Sequence, residues 1–358
     1  MDFSKAFDKV SHSRLLYKLE WYGVVGQTHN WVKDFLYKRC QQVVIDGKQS
    51  DTSWVTSGVP QGSVLGPLLF LAYINDLPDC VNSQVRLFAD DTVVYRKIKN
   101  SSDESMLQKD LSNLEKWENT WKMEFHPGKC QVIRITKSLK PKDTAYYLHG
   151  HKLEVVSSTK YLGLTIQQDL KWNTHINQVV NKGNRTLGML KRNLKISSPS
   201  IKTMAYRGLV RPQLVYSSTV WDPHHKVHIN KVEMVQRRAA RWVLNRYHNT
   251  SSVSDMLNHL AWPTLDLRRR DTRLCLMYKI VNNLVAVCPA HYLVPVTRPT
   301  RHSHPHSFIQ LQCKNEAYRS SFFPRTIVQW NLLPTEAVLS PGIEAFKGHL
   351  ADLGTLQA

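Results

Sequence analysis

Apolar positions change period often over residues 1–170 and then settle into steps of three and four for the rest of the chain. In the first part, the spacing predicts a strand ending near Phe3 and helices over residues 13–22 and 28–37. A hairpin of residues 41–46 and 52–56 is expected to turn at Gly47-Lys48, and an apolar helix to run over 64–77. Two β-branched runs flank Asp90-Asp91 and predict a second hairpin, followed by a helix over 106–123 with Trp117 and Trp121 on one face. Strands are expected at 131–136, 144–149 and 161–167, with a Lys/Pro loop at 137–143, which makes this part α+β. From residue 171, Trp172, Ile176, Val179, Gly183, Leu187, Leu190 and Leu194 form one stripe, with Lys182, Arg185, Lys191 and Arg192 outside it. A helix over 200–216 should pack on that stripe. A third, over 229–245, turns Val232, Val235, Ala239 and Trp242 inward and Lys231, Arg238 and Arg241 outward. Apolar helices are expected at 253–260 and 265–282, and an exposed loop at 295–307.

Charge sharpens this division. Residues 1–170 carry 22 Lys and Arg against 19 Asp and Glu, while residues 171–358 carry 26 against 9. A near-neutral part followed by a strongly basic one suits a catalytic module joined to a polyanion-binding module. No apolar run of 18 residues is present, so no membrane partner is expected, and Met1-Asp2 opens no secretory leader. Six cysteines without a C-x-x-C pair point to reduced thiols, and the protein is expected to be nuclear or cytoplasmic. His302, His304 and His306 lie near Cys288, His291 and Cys313, but their spacing fits no standard zinc pattern.

The candidate chemistry lies in three segments. Adjacent carboxylates such as Asp90 and Asp91 repel one another unless a divalent cation shares them. Asp2-Phe3-Ser4-Lys5-Ala6-Phe7-Asp8 places two further carboxylates around an aromatic residue, and Ser57-Gly58-Val59-Pro60-Gln61-Gly62-Ser63 is a loop stiffened by proline and opened by glycine. In this order and spacing the three segments resemble motifs A, B and C of reverse transcriptases. The Ala-Phe-Asp and Phe-Ala-Asp-Asp forms resemble the non-LTR (LINE-type) retrotransposons, of the jockey-like branch.

That resemblance implies a right-hand polymerase palm over residues 1–168, a helical thumb over 169–248 and a C-terminal basic helical region of unknown role over 249–358. The implied activity is RNA-directed DNA synthesis, extending a DNA primer on an RNA template with deoxynucleoside triphosphates. Asp2, Asp90 and Asp91 would be the catalytic carboxylates, holding two Mg²⁺ (or Mn²⁺) ions with the backbone carbonyl of Phe3. Phe7 matches the steric gate, Gln61 and Gly62 would line the nascent base pair, and Lys129 resembles the motif D lysine, a general acid for pyrophosphate. Asp8 is expected to be structural. Tyr161-Leu162-Gly163 resembles the motif E hairpin that touches the primer. Lys182, Arg185, Arg238 and Arg241 would grip the template-primer duplex from the thumb. The family's fingers subdomain precedes motif A and has no counterpart here, so the sequence is expected to be an N-terminally truncated fragment, with Asp2 prone to fray unless neighbours pin it. The competing reading is an inactive remnant that only binds nucleic acid. A group II intron-type maturase is disfavoured by the Phe-Ala-Asp-Asp form.

Overall fold

The computed structural model describes residues 1–136, 138, 142–196, 198–248, 250–297 and 304–356, with side chains up to residue 354. Contacts divide the chain into two compact units, one of residues 1–163 and 167–169, the other of residues 164–166 and 170–358.

The first unit mixes helices with small sheets. Its helices are α1 (His12–Trp21), α2 (Gly26–Leu36), α3 (Leu65–Ile74) and α4 (Ser101–Trp121). Helix α4 starts five residues earlier than apolar periodicity suggests, because Asn100 and Asp103 form a capping box that satisfies the first amides. The 40–54 segment turns at Asp46-Gly47 rather than Gly47-Lys48; both residues are left-handed (φ 49° and 78°), as a tight hairpin turn demands. The hairpin Gln84–Phe88/Asp91–Tyr95 pairs Phe88 with Asp91, leaving Ala89 (φ 50°) and Asp90 in the turn. Of the strand expected at 131–136, only Gln131–Ile133 forms, parallel to Glu154–Val156. The stretch expected as one strand over 161–167 is interrupted by left-handed Leu162 (φ 47°) and Gly163 (φ 79°).

A buried lysine ties the helices of this unit together. Lys18 Nζ lies 3.7 Å from the centre of a Trp121 ring, donates to the Tyr73 carbonyl and pairs with Asp76, which also accepts from Trp117 Nε1 at 3.0 Å. Burial pulls the Lys18 pKa down to about 8, against the opposing pull of Asp76.

The second unit is helical: α5 (Asn173–Asn193), α6 (Pro199–Ala205), α7 (Arg211–Val215), α8 (Ser218–Trp221), α9 (Lys226–Leu244), α10 (Val253–His259), α11 (Leu265–Val281), α12 (Glu316–Arg319), α13 (Phe322–Trp330), α14 (Thr335–Val338) and α15 (Ile343–Leu356). The continuous helix expected over 200–216 is broken by a π turn at Tyr206–Val210, where Arg211 N reaches back to the Tyr206 carbonyl. Pro212 explains it, since proline offers no amide and its ring clashes with the carbonyl four residues earlier. The stripe on α5 packs as expected, with Ile176, Gly183, Leu187 and Leu190 buried. A Cβ on Gly183 would meet Leu214 at 2.8 Å, so glycine permits this helix contact.

Two features of the second unit correct the sequence reading. Of the loop expected over 295–307, residues 298–303 lie outside the described residues, and the described ends are not simply exposed. Pro295 bridges Phe308, Val296 N donates to the Ser307 carbonyl at 3.0 Å, and His304, 3% exposed, bonds the Trp330 carbonyl at 2.9 Å. His304 is thereby committed to the core, Cys288 is exposed, and His302 lies outside the described residues. Second, Asp222 is a buried hub, reached by Arg269 Nε at 2.7 Å, by Arg325 Nη1 at 3.1 Å and by Arg273. These pairs join α11 and α13 to the end of α8.

Candidate active site

The amino-terminal segment is pinned from both sides. The Met1 ammonium donates to the Thr92 carbonyl at 2.7 Å and Thr92 N returns to the Met1 carbonyl at 3.2 Å. On the other edge, His126 N donates to the Asp2 carbonyl and Ser4 N to the Glu124 carbonyl, both at 2.8 Å. Residues 1–4 are therefore held between Asp91–Tyr95 and residues 124–126, with Phe3 in an antiparallel bridge to Phe125. Phe3 turns inward, 3% exposed and stacked on Phe125 at 4.1 Å, so only its backbone is available to a ligand. Side chains alternate along extended backbone, and Asp2 points to the opposite face. Glu118, itself buried, supports the outer strand by accepting from Phe125 N and bonding His149 Nε2 at 2.8 Å.

Asp91 follows the same alternation, with fully buried Thr92 beneath it. Its carboxyl is held above the ordinary range by burial first, then by the charges of Asp90 and Asp2, with the terminal ammonium opposing. The three carboxylates expected from the motifs thus share one electrostatic neighbourhood. Lys129 is brought there too, its Nζ 3.3 Å from Asp2. Tyr161 feels the same charge: its phenol is raised by burial and then by Asp91. Among the described residues, no three His, Cys, Asp or Glu side chains converge as they stand to hold an ion. The donor set nonetheless suits a hard divalent cation, because it consists of carboxylate oxygens, and burial together with the neighbouring Asp90 and Asp2 charges raises Asp91.

The Phe7 ring is half-buried and stacks on Phe70 of α3 at 4.5 Å. Gln61 Nε2 donates to Asp8 Oδ1 at 3.1 Å. Gly62 adopts φ +81° with open space where a Cβ would stand, so the protein itself demands glycine here for its backbone angle, not for a close approach. Two other glycines near this loop are the crowded ones. A Cβ on Gly58 would lie 2.9 Å from Asp8 and Phe7 backbone atoms, and one on Gly66 would fall on the Pro60 carbonyl oxygen. His12 was missed; it is 5% exposed and bonds the Gly58 carbonyl at 2.8 Å. The repeated glycines around Pro60 were its only signal in the sequence.

In the second unit, Lys182, Arg185 and Arg238 are exposed and Arg241 is half-buried. Lys231 bonds Asn177 at 3.1 Å and Arg238 bonds Asn184 at 3.0 Å, so the basic faces of α5 and α9 adjoin. Residues 171–248 carry 15 Lys and Arg against two carboxylates, Asp222 and Glu233, and both are buried. The surface of this stretch is therefore free of carboxylate among the described residues.

Residues 1–166 match the family model described as reverse transcriptase (RNA-dependent DNA polymerase). The RNA-directed DNA polymerase from mobile element jockey of Drosophila melanogaster is 30% identical over 254 residues, covering 67% of this chain and 27% of that protein. Its counterpart in Drosophila funebris is 29% identical over 256 residues, with 67% and 27% covered. The probable RNA-directed DNA polymerase from transposon BS of Drosophila melanogaster is 29% identical over 262 residues, with 67% and 28% covered. The chain thus spans about a quarter of the length of these relatives. Residues 1–166 belong to the reverse transcriptase family, and the homologues of the chain are the RNA-directed DNA polymerases of jockey and related non-LTR mobile elements.

Proposed function

We propose that the chain is the palm and thumb portion of an RNA-directed DNA polymerase that extends a DNA primer on an RNA template. The observation that carries this reading is the pinning of residues 1–4, which sets Asp2 beside the Asp90-Asp91 turn with Lys129 at hand. Asp2, Asp90, Asp91 and the Phe3 carbonyl would hold two Mg²⁺ or Mn²⁺ ions. Bound there, such ions activate the attacking primer hydroxyl and stabilise the leaving pyrophosphate.

The protein's own groups do the rest. Lys129 is salt-bridged to Asp2 and largely exposed, so its ammonium can swing toward a leaving pyrophosphate and donate a proton. Phe7 is backed by the buried Phe70 ring and cannot retreat, so a ribose 2′-hydroxyl is excluded by bulk. Gln61, Gly62 and the Tyr161-Leu162-Gly163 turn would face the nascent pair and the primer strand. The basic face with Lys182, Arg185, Arg238 and Arg241 would hold duplex phosphates without reading sequence.

Primer extension on an RNA template with deoxynucleotides and Mg²⁺ tests this reading. Extension that stops with EDTA is expected. Retention of an RNA·DNA hybrid without any extension would favour the binding-only alternative.

A further inference from the structure

The loop that carries Gln61 is strapped to residues 7–12 by bonds that the polymerase chemistry does not use. Gly58 N donates to the Val10 carbonyl, Val59 N to the Phe7 carbonyl and Ser57 Oγ to the Asp8 carbonyl, each at 2.8 Å. His12 Nε2 meets the Gly58 carbonyl from a buried ring and must be the donor there. Gly58 lacks the Cβ that would collide with Asp8, so the two segments lie backbone on backbone. A further link joins two exposed side chains, Gln61 Nε2 and Asp8 Oδ1, at 3.1 Å.

That last bond does something the backbone bonds cannot. An ionised carboxylate only accepts, so Asp8 fixes the Gln61 amide with Nε2 toward itself and Oε1 away. Without it, an exposed glutamine would sample several rotamers and both amide orientations. Asp8 also directly follows Phe7, whose carbonyl and ring are held by Val59 N and Phe70. Its chain position places it past the turn that starts at left-handed Lys5 (φ 51°), where its amide donates to the Lys5 carbonyl at 3.0 Å.

We propose that Asp8 is a positioning residue for sugar selection: it latches Gln61 and the 57–62 loop against the Phe7 segment, and so fixes the gate that an incoming nucleotide meets. This rests on the polymerase reading above.

Two measurements on the full chain test it. The first is hydrogen exchange at the amides of Gly58 and Val59, whose bonds to Val10 and Phe7 close the loop onto the gate segment. Asp8→Ala is expected to speed it about three- to tenfold, the scale of one hydrogen bond, and Asp8→Asn to change it little, because asparagine still offers Oδ1. Unchanged exchange in Asp8→Ala would overturn the latch. The second is the ratio of deoxy- to ribonucleoside triphosphate affinity for the chain bound to an RNA·DNA hybrid in Ca²⁺, without turnover. Asp8→Ala should lower this ratio by a similar factor and Asp8→Asn should retain most of it. In a Phe7→Ala background, Asp8→Ala should cause no further loss, a coupling that general destabilisation would not give. Additive losses, or a wild-type chain that binds nucleotide without preferring the deoxy form, would overturn the role in selection. Failure of the wild type to extend a primer would count instead against the polymerase reading.

Discussion

Three carboxylates within one electrostatic neighbourhood cost stability, and Asp91 reports that cost. Its folded-state pKa lies above the unfolded value, so the native state binds the extra proton and stability falls as pH rises through that window. At neutral pH the whole penalty is present. Asp90→Asn is therefore expected to raise the melting temperature in EDTA at pH 7, and to lose that advantage as pH falls through the Asp91 window. Added Mg²⁺ should stabilise the wild type and not the variant; differential scanning fluorimetry with and without the ion measures both. Phe7 carries a separate expectation. Phe7→Ala should keep most deoxynucleotide incorporation yet admit ribonucleotides, and unchanged sugar selectivity would place the gate elsewhere. The carboxylates, Phe7 and Gln61 were legible in the sequence because each lies in a short contiguous motif. His12 and the close approach of Gly58 to Asp8 were not, because they come from a loop folded back on residues 7–12, a contact some fifty residues apart.

At the scale of elements, what the sequence conveyed best was periodicity and what it conveyed least was termination. The α5 stripe and the inward face of α9 were readable because burial follows a fixed angular step. The π turn before Pro212 and the early start of α4 at its capping box were overlooked, because both depend on backbone hydrogen bonds rather than on apolar spacing. The buried hub at Asp222 was equally invisible, since its arginines come from residues 269, 273 and 325. Three guanidiniums around one buried carboxylate make its loss expensive. Asp222→Ala is expected to destabilise the second unit by about 3–5 kcal/mol, the scale for leaving buried charge unpaired. Urea unfolding followed by tryptophan fluorescence would register it, and a loss under about 1 kcal/mol would mean that water reaches the arginines.

For the whole molecule, charge is distributed more sharply than a division at residue 170 implies. Residues 171–248 hold most of the excess, and their two carboxylates are both buried. Binding to an RNA·DNA hybrid should therefore be insensitive to sequence and steeply dependent on salt. If about six phosphates are neutralised, affinity falls on the order of 10³ between 50 and 200 mM salt. Fluorescence anisotropy across that range measures it, and a flat response would reduce the basic surface to a solvated one. Replacing Arg238 and Lys182 together by glutamine should lower the slope by about two.

The segment carrying Asp2 and the turn carrying Asp90 and Asp91 are expected to form the site of nucleotide addition. The most direct measurement is the rate of a single deoxynucleotide addition to a primer annealed to RNA, with Mg²⁺, by the wild-type chain and by Asp90→Asn at equal hybrid occupancy. Asparagine keeps the shape and removes the charge, so addition is expected to fall by about 10³-fold or more while hybrid affinity stays the same. Equal rates in the two proteins would contradict the assignment.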